Sequence, residues 1–344
     1  MVKRMDTKAA LLVNLGSPDS PSESDVRHYL NEFLMDGNVI DMPWLIRRMI
    51  VSLFVLPKRP AKSAKAYASV WTDDGSPLVS NSKKLLNKVR QQTNMPVELA
   101  MRYGRPDMES AIVKLASKRE IKELLLFPLY PHYAMSTIKT VVEKAEAIIS
   151  DNKLPISLSV HPVFYDHEGY INALVNSARP WLEKGYDHLV FSYHGVPERH
   201  ITKDDSTGSH CLKSGDCCQK PSPAHHTCYR HQIYRTSACF VEKAGIPVDK
   251  YSIAFQSKLG RDKWLEPSTS SVIKQLAKQG AKKVLVICPA FVSDCLETLE
   301  EIGIEAKEDF IKAGGESLEL IPCLNDHPDW TKLVSSWLEQ PLKT

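Results

Sequence analysis

Short apolar runs recur along the chain, each closed by small or turn-forming residues. The run 9–15 stops at Gly16-Ser17-Pro18, and 97–101 stops at Arg102-Tyr103-Gly104-Arg105-Pro106. The run 121–127 stops at Pro128-Leu129-Tyr130-Pro131, and 156–160 completes a set of four. Two of them, 9–13 and 124–127, are continuously apolar, as strands buried on both faces of a parallel sheet are. Between them the pattern changes to a helical period. Helices are predicted over 22–34 (capped by Ser22 or Ser24), 83–92 and 108–117, and from a cap at Ser136 and Thr137 through Ile149. Strands alternating with helices predict an α/β fold with helices on both faces of a parallel sheet.

The second half repeats the first. The run 189–193 followed by His194-Gly195-Val196-Pro197 echoes 11–14 followed by Leu15-Gly16-Ser17-Pro18. The stretch 253–262 echoes 99–107, and 284–287 with Cys288-Pro289-Ala290-Phe291 echoes 124–127 with Pro128-Leu129-Tyr130-Pro131. Three echoes in one order predict two related α/β domains, 1–164 and 165–344, with the boundary in 163–170. A final helix over 330–338 is placed in the second domain by chain order, although its sequence would let it close over either. In open α/β sheets ligands bind beyond the carboxyl ends of the strands, and a crevice between two such domains is a natural ligand site. Side chains at the strand ends are therefore the functional candidates.

Composition narrows the class. At 344 residues the chain has room for two domains. A net charge of +3 gives no electrostatic case for nucleic acid. Neither a glycine-rich Lys-Ser/Thr loop nor a Gly-x-Gly-x-x-Gly turn follows any strand, which argues against ATP and dinucleotides. Residues 1–10 are charged and run directly into the first strand, unlike a secretory signal. No apolar stretch is long enough to span a bilayer, so a cytoplasmic protein is expected. The segment 42–57 is strongly apolar, is interrupted by Arg47 and Arg48, and is followed by Lys58, Arg59, Lys62 and Lys65. It reads either as a buried helix with a solvated end or as an exposed lip whose cations suit an anionic membrane surface.

Two side chains carry the clearest chemistry. His194 ends the first strand of the second half, and a neutral imidazole there can take a proton or bind a metal near neutral pH. Glu297 lies just beyond the carboxyl end of a later strand, on the same sheet edge by the repeat. Glu300 and Glu301 have a simpler explanation, since acidic residues suit a helix start. Four of the eight cysteines fall in one stretch, Cys211, Cys217, Cys218 and Cys228, spaced Cys-x5-Cys-Cys-x9-Cys among Gly208, Gly215, Pro221 and Pro223. Such a loop has little apolar material to fold around. A metal would cross-link it, and four thiolates suit zinc or an iron–sulfur cluster. Cys239, Cys288 and Cys323 read as core residues.

Taken together, Asn14-Leu15-Gly16-Ser17-Pro18, Gly75-Ser76-Pro77, Arg102-Tyr103-Gly104, Tyr130-Pro131-His132-Tyr133, Ser192-Tyr193-His194-Gly195-Val196-Pro197, Gln256-Ser257-Lys258-Leu259-Gly260, Trp264 and Ser293-Asp294-Cys295-Leu296-Glu297-Thr298-Leu299 resemble the ferrochelatase family. The motifs span about 11–324, and their order makes the match specific. The resemblance implies two Rossmann-like domains of chelatase type with a porphyrin cleft between them, and the apolar segment, about 41–60, as a lip of that cleft. It implies insertion of Fe²⁺ as substrate into protoporphyrin IX at the end of haem synthesis. The alternatives are the same reaction on coproporphyrin III, and a porphyrin or haem carrier without turnover.

By the same resemblance His194 is the proton acceptor or metal ligand and Glu297 its carboxylate partner. Arg102 and Ser136 are expected to meet porphyrin carboxylates, while Tyr103, Trp264 and Phe291 wall the pocket. Leu15 stands where relatives carry Met or Tyr over the macrocycle; it can pack but cannot ligate. Cys295 stands where some relatives carry His. The insertion, about 204–230, resembles that of bacterial members holding a two-iron two-sulfur cluster on four cysteines, with zinc as the alternative. The sequence leaves open the oligomeric state and any peripheral contact with the inner face of the membrane through 42–57.

Overall fold

The computed structural model describes residues 7–258, 260 and 262–340. Leu259 of the Gln256–Gly260 motif and Arg261 lie outside the described residues. The chain divides into two compact units.

Unit 1 holds the strands β1 (Lys8–Ser17), β2 (Val97–Gly104), β3 (Glu123–Pro128) and β4 (Ser157–Val160) in the order β2-β1-β3-β4, every pair parallel. The strand β1 is paired on both sides and sandwiched on both faces. That is why Ala9, Ala10, Leu11, Leu12 and Val13 are all fully buried and why the run lacks alternation. Unit 2 holds β5 (His188–His194), β6 (Tyr251–Gln256), β7 (Lys283–Ile287) and β8 (Ser317–Leu320) in the order β6-β5-β7-β8, again all parallel. The echo in the sequence is thus an echo of topology: both units are Rossmann-like α/β units built around their first strand.

Local signals explain most helix starts. The helix Glu23–Leu34 is capped by Ser22, whose hydroxyl accepts the Asp25 N–H. The Gly75-Ser76-Pro77 turn opens the helix Pro77–Arg90 with Pro in its first turn, earlier than the periodicity alone suggests. The expected cap at Ser136 and Thr137 is corrected. Met135–Lys139 is a π-helical turn that runs into the helix Thr140–Asp151, so the backbone is already helical where a cap was expected.

Two assignments depart from chain order. The last helix, Pro328–Glu339, belongs with unit 1, although its position in the chain placed it in the second domain. Trp337 supplies the reason, since its ring lies 6.0 Å from that of Phe127 and 4.9 Å from that of His161. Conversely, Pro131–Ala134 belongs with unit 2. There the Tyr133 N–H donates to Gln232 at 2.7 Å, and His132 Nε2 meets the Thr236 hydroxyl at 2.8 Å.

The segment after residue 42 is exposed rather than a buried helix. It forms the helix Trp44–Ile50 and the π-helical turn Val51–Val55, of which only Val51 is buried. Trp44, Leu45 and Phe54 are each more than 60% exposed. No helix among the described residues is long and apolar enough to cross a membrane.

Candidate functional site

The carboxyl edge of the unit 2 sheet gathers the titratable groups. His194 is the last residue of β5 and sits opposite Gln256, the last of β6. The turn that follows is tight enough to favour glycine. A Cβ on Gly195 would lie 3.0 Å from the Gln256 carbonyl oxygen and 3.1 Å from the Trp264 ring. The His194 ring is held by its own turn: Nδ1 lies 2.6 Å from the Gly195 carbonyl oxygen. A carbonyl only accepts, so Nδ1 carries the hydrogen, and in the neutral ring the lone pair is that of Nε2. The His194 carbonyl in turn accepts the Tyr229 hydroxyl at 2.9 Å.

Glu297 lies in the short helix Leu296–Leu299. The turn before it is fixed by Asp294, which accepts from Asn325, the Cys323 N–H and the Thr298 hydroxyl. Cys295 and Thr298 complete a reciprocal cap. The Cys295 thiol also bonds to the Glu297 side chain, and burial together with the neighbouring carboxylate keeps that thiol protonated. Glu297 is anchored through its backbone, since its carbonyl accepts from Gln256 Nε2 at 2.6 Å.

Glu301 was read from sequence as a helix-dipole residue, yet it joins this edge. Its carboxylate accepts the Ser257 hydroxyl at 2.5 Å and Gln256 Nε2 at 3.3 Å. Burial, and then the charge of Glu297, push its pKa above the ordinary 4.5; His194 also lies within its electrostatic reach. Its four-residue spacing from Glu297 was the available signal. Its partner Ser257 has a φ of +65°, a strained value for a residue with a side chain, which fits a functional edge.

The expected pocket walls of this unit flank the same edge. Phe291 has its ring 6.4 Å from that of His194. Trp264 is buried and lines a cavity of about 300 Å³ with Gly195, Phe255, Gln256 and Lys258.

In unit 1 the picture differs. Leu15 is half-buried near the end of β1, and Ser136 is half-buried in its π-helical turn. Tyr103 is only 1% exposed, so it is a core residue of this unit rather than an open wall. Its hydroxyl donates to Asp36 at 2.8 Å. Arg102 was expected to fork onto a substrate carboxylate. Instead its Nη2 pairs with Asp36 at 2.5 Å and its Nε donates to the Thr140 hydroxyl at 2.8 Å. The guanidinium is therefore largely spent inside the fold.

The cysteine insertion brings its thiols together in pairs. Cys228 bonds with both Cys218 and Cys211, and these S–H groups and nearby backbone N–H groups hold its pKa down to about 6. Burial and the same contact with Cys228 push the Cys211 thiol up. For Cys218 the bond to Cys228 and burial do the same. Cys217 accepts the Leu212 N–H at 3.4 Å and lies 3.8 Å from Arg230 Nη1. The loop around them is tied by Asp205, which accepts the N–H groups of Thr207, His210 and Cys211. No group of three or more His, Cys, Asp or Glu among the described residues is arranged to hold a metal ion. Three of the four sulfurs meet through Cys228, and Cys217 and Cys228 also receive backbone N–H donors.

The family model described as ferrochelatase matches residues 7–342. A ferrochelatase of Pseudomonas fluorescens (strain Pf0-1) is 55% identical over 338 residues, 98% of either chain. One of Stutzerimonas stutzeri (strain A1501) is 53% identical over 332 residues, 96% of this chain and 97% of that one. Among solved structures, SirB from Bacillus subtilis with Fe³⁺ shares the fold at a TM-score of 0.55 and 12% identity, over 97% of this chain and 94% of SirB. The match along essentially the whole chain shows that the protein belongs to the ferrochelatase family.

Proposed function

We propose that the chain inserts Fe²⁺ into protoporphyrin IX to give protohaem, with release of two protons, as the last step of haem synthesis. The observation that carries this reading is the His194 ring. Its Nδ1–H is tied to Gly195, and Glu301, itself within reach of the Glu297 charge, lies within electrostatic reach of the ring.

The reaction exchanges two pyrrole protons for one divalent ion, so charge balances without a redox step. His194 Nε2 accepts a pyrrole proton as the iron enters. The carboxylates of Glu297 and Glu301 favour the imidazolium that forms and attract the incoming cation. Because the pKa of Glu301 is raised, this carboxylate takes up a proton more readily than an exposed one does. Phe291 and Trp264 offer aromatic surface beside the histidine for the macrocycle.

In the insertion, Cys211, Cys217, Cys218 and Cys228 would hold a two-iron two-sulfur cluster, with zinc as the alternative. Their pairwise contacts and the N–H donors on Cys217 and Cys228 support that reading. A bound centre would supply covalent cross-links to a loop with little core of its own. Iron and acid-labile sulfide measured on anaerobically purified protein decide between them: two of each per chain are expected, and zinc alone overturns the cluster. The exposed lip with its basic flank supports a peripheral membrane contact for a cytoplasmic enzyme.

The test is anaerobic insertion of Fe²⁺, followed by loss of the free-base porphyrin spectrum. The wild type is expected to turn over, and His194→Ala to lose about 10²–10⁴-fold, the usual contribution of a general base, with its thermal transition unchanged. Tight porphyrin binding without turnover, on coproporphyrin III as well, would leave a carrier.

A further inference from the structure

The lip poses a mechanical question. With Val51 its only buried residue, burial cannot hold it in place, and such segments open easily. Its polar anchors are therefore decisive. At its far end Arg27 donates to the Leu56 carbonyl at 2.5 Å, and in the middle Arg48 donates to Asn31 at 2.9 Å. Both contacts use exposed arginines on the helix Glu23–Leu34 or reaching back to it.

The near end is different. Asp36 follows that helix and precedes the lip, and its carboxylate is nearly closed off. One oxygen accepts from Arg102, from the Thr140 hydroxyl at 2.5 Å and from the Tyr103 hydroxyl at 2.8 Å. The other accepts the Asn38 N–H at 2.7 Å. Three donors crowd one oxygen, more than its two lone pairs, and one meets the other oxygen. The Arg102 guanidinium, 4.3 Å over the Tyr103 ring, is equally enclosed; the two charged side chains are 13% and 7% exposed. Burial raises the Asp36 pKa, but the Thr140 and Asn38 bonds, the Arg102 charge and the Tyr103 bond together hold it below 3.8. Charge-assisted bonds of this kind are the strong ones. Downstream, Arg47 folds the start of the lip back, donating to the Met42 carbonyl at 2.9 Å and the Ile40 carbonyl at 3.2 Å.

We propose that Asp36 is the positioning residue of the lip: locked onto β2 and the helix Thr140–Asp151, its carboxylate fixes the chain where the apolar segment leaves the fold. Arg102 serves this anchor, not a substrate carboxylate. The proposal deepens the reading that the lip receives the porphyrin and rests on it for its effect on turnover.

Limited trypsin digestion of the full chain tests the anchor directly, because Arg47, Arg48 and Lys58 lie within or beside the lip. Proteolysis of a transiently opened segment follows its open population. Asp36→Asn is expected to speed cleavage at these sites about tenfold and to raise KM for porphyrin by a similar factor, leaving kcat within about twofold. Thr140→Val removes one donor with less risk to folding, and about a threefold acceleration is expected. Wild-type cleavage rates in Thr140→Val, or in a folded Asp36→Asn, would overturn the anchor, and a raised KM with unchanged cleavage would return Arg102 to the role of carboxylate ligand. Protoporphyrin IX added to the wild type separates the two layers: failure to protect the lip would sink its role in porphyrin binding while leaving the anchor to stand or fall on the variants.

Discussion

The two units use one topology for opposite purposes. Leu15 in β1 and His194 in β5 hold matching places, and Arg102 in β2 matches Gln256 in β6. At the unit 1 edge the charged groups are spent on one another: Arg102, Tyr103 and Thr140 converge on Asp36. At the unit 2 edge the groups are not paired off in this way: Glu301 is held by the neutral Ser257 and Gln256 and lies within electrostatic reach of Glu297 and His194. A saturated network rigidifies, whereas an unbalanced one keeps its groups ready to exchange protons. The difference lies in a few residues at equivalent strand ends, not in the fold that presents them.

The largest test of this comparison is steric. Gly16 has a φ of +115°, and a Cβ there would lie 1.7 Å from the Tyr103 carbonyl oxygen. Gly16→Ala must therefore break the end of the β1–β2 ladder beneath the saturated edge. A loss of at least about 3 kcal/mol is expected, read as a fall in Tm of roughly 6 °C or more or as insoluble protein. Gly195 has no such φ, and its nearest contacts are at 3.0–3.1 Å. Gly195→Ala should fold with a cost of about 1 kcal/mol but displace the His194 turn, so that activity falls about tenfold. Equal losses of stability in the two variants would show that both edges are structural.

Much of this was legible in the sequence, and the gaps have physical causes. The short apolar runs and the turns that close them set out both sheets, and the repeated order set out their kinship. The ends of those runs exposed His194 and Glu297, because strand-end position is a local property. The partnership of Asp36 with Arg102 was hidden, since it links residues 66 apart in the chain, and a sequence does not show which charge an arginine meets. Glu301 was hidden by a sufficient local explanation, the helix dipole. The π-helical turn 301–306 that carries it breaks the regular spacing on which that explanation depended. The final helix was misplaced because Trp337 finds Phe127 and His161, partners about 210 and 176 residues away.

The smallest effect expected is also the most discriminating, because the two edges have opposite linkage. The Asp36 pKa lies below 3.8, so the folded state holds its proton less tightly than the unfolded chain does. Its stabilisation is present above 3.8 and is lost as pH falls through the lower folded value. The Glu301 pKa is raised above 4.5, so the folded state binds its proton more tightly. Its favourable contribution is present below 4.5 and is lost as pH rises through the folded value, leaving a strained carboxylate at neutral pH. Glu301→Gln keeps an oxygen for the Ser257 hydroxyl and removes the charge. At pH 7–8 it should raise Tm by about 2–4 °C, the response of a domain this size to about 1 kcal/mol, while lowering kcat for iron insertion. Near pH 4 the gain should vanish, because the wild-type carboxyl is then protonated in both states. Asp36→Asn should show the reverse, a lower Tm at neutral pH that converges with the wild type in acid. Thermal melts of both variants across pH 3–8 read the signs side by side. A Glu301→Gln protein no more stable than wild type at neutral pH would mean that the unit 2 edge is as well compensated as that of unit 1. The stored imbalance would then have to be sought in Glu297 alone.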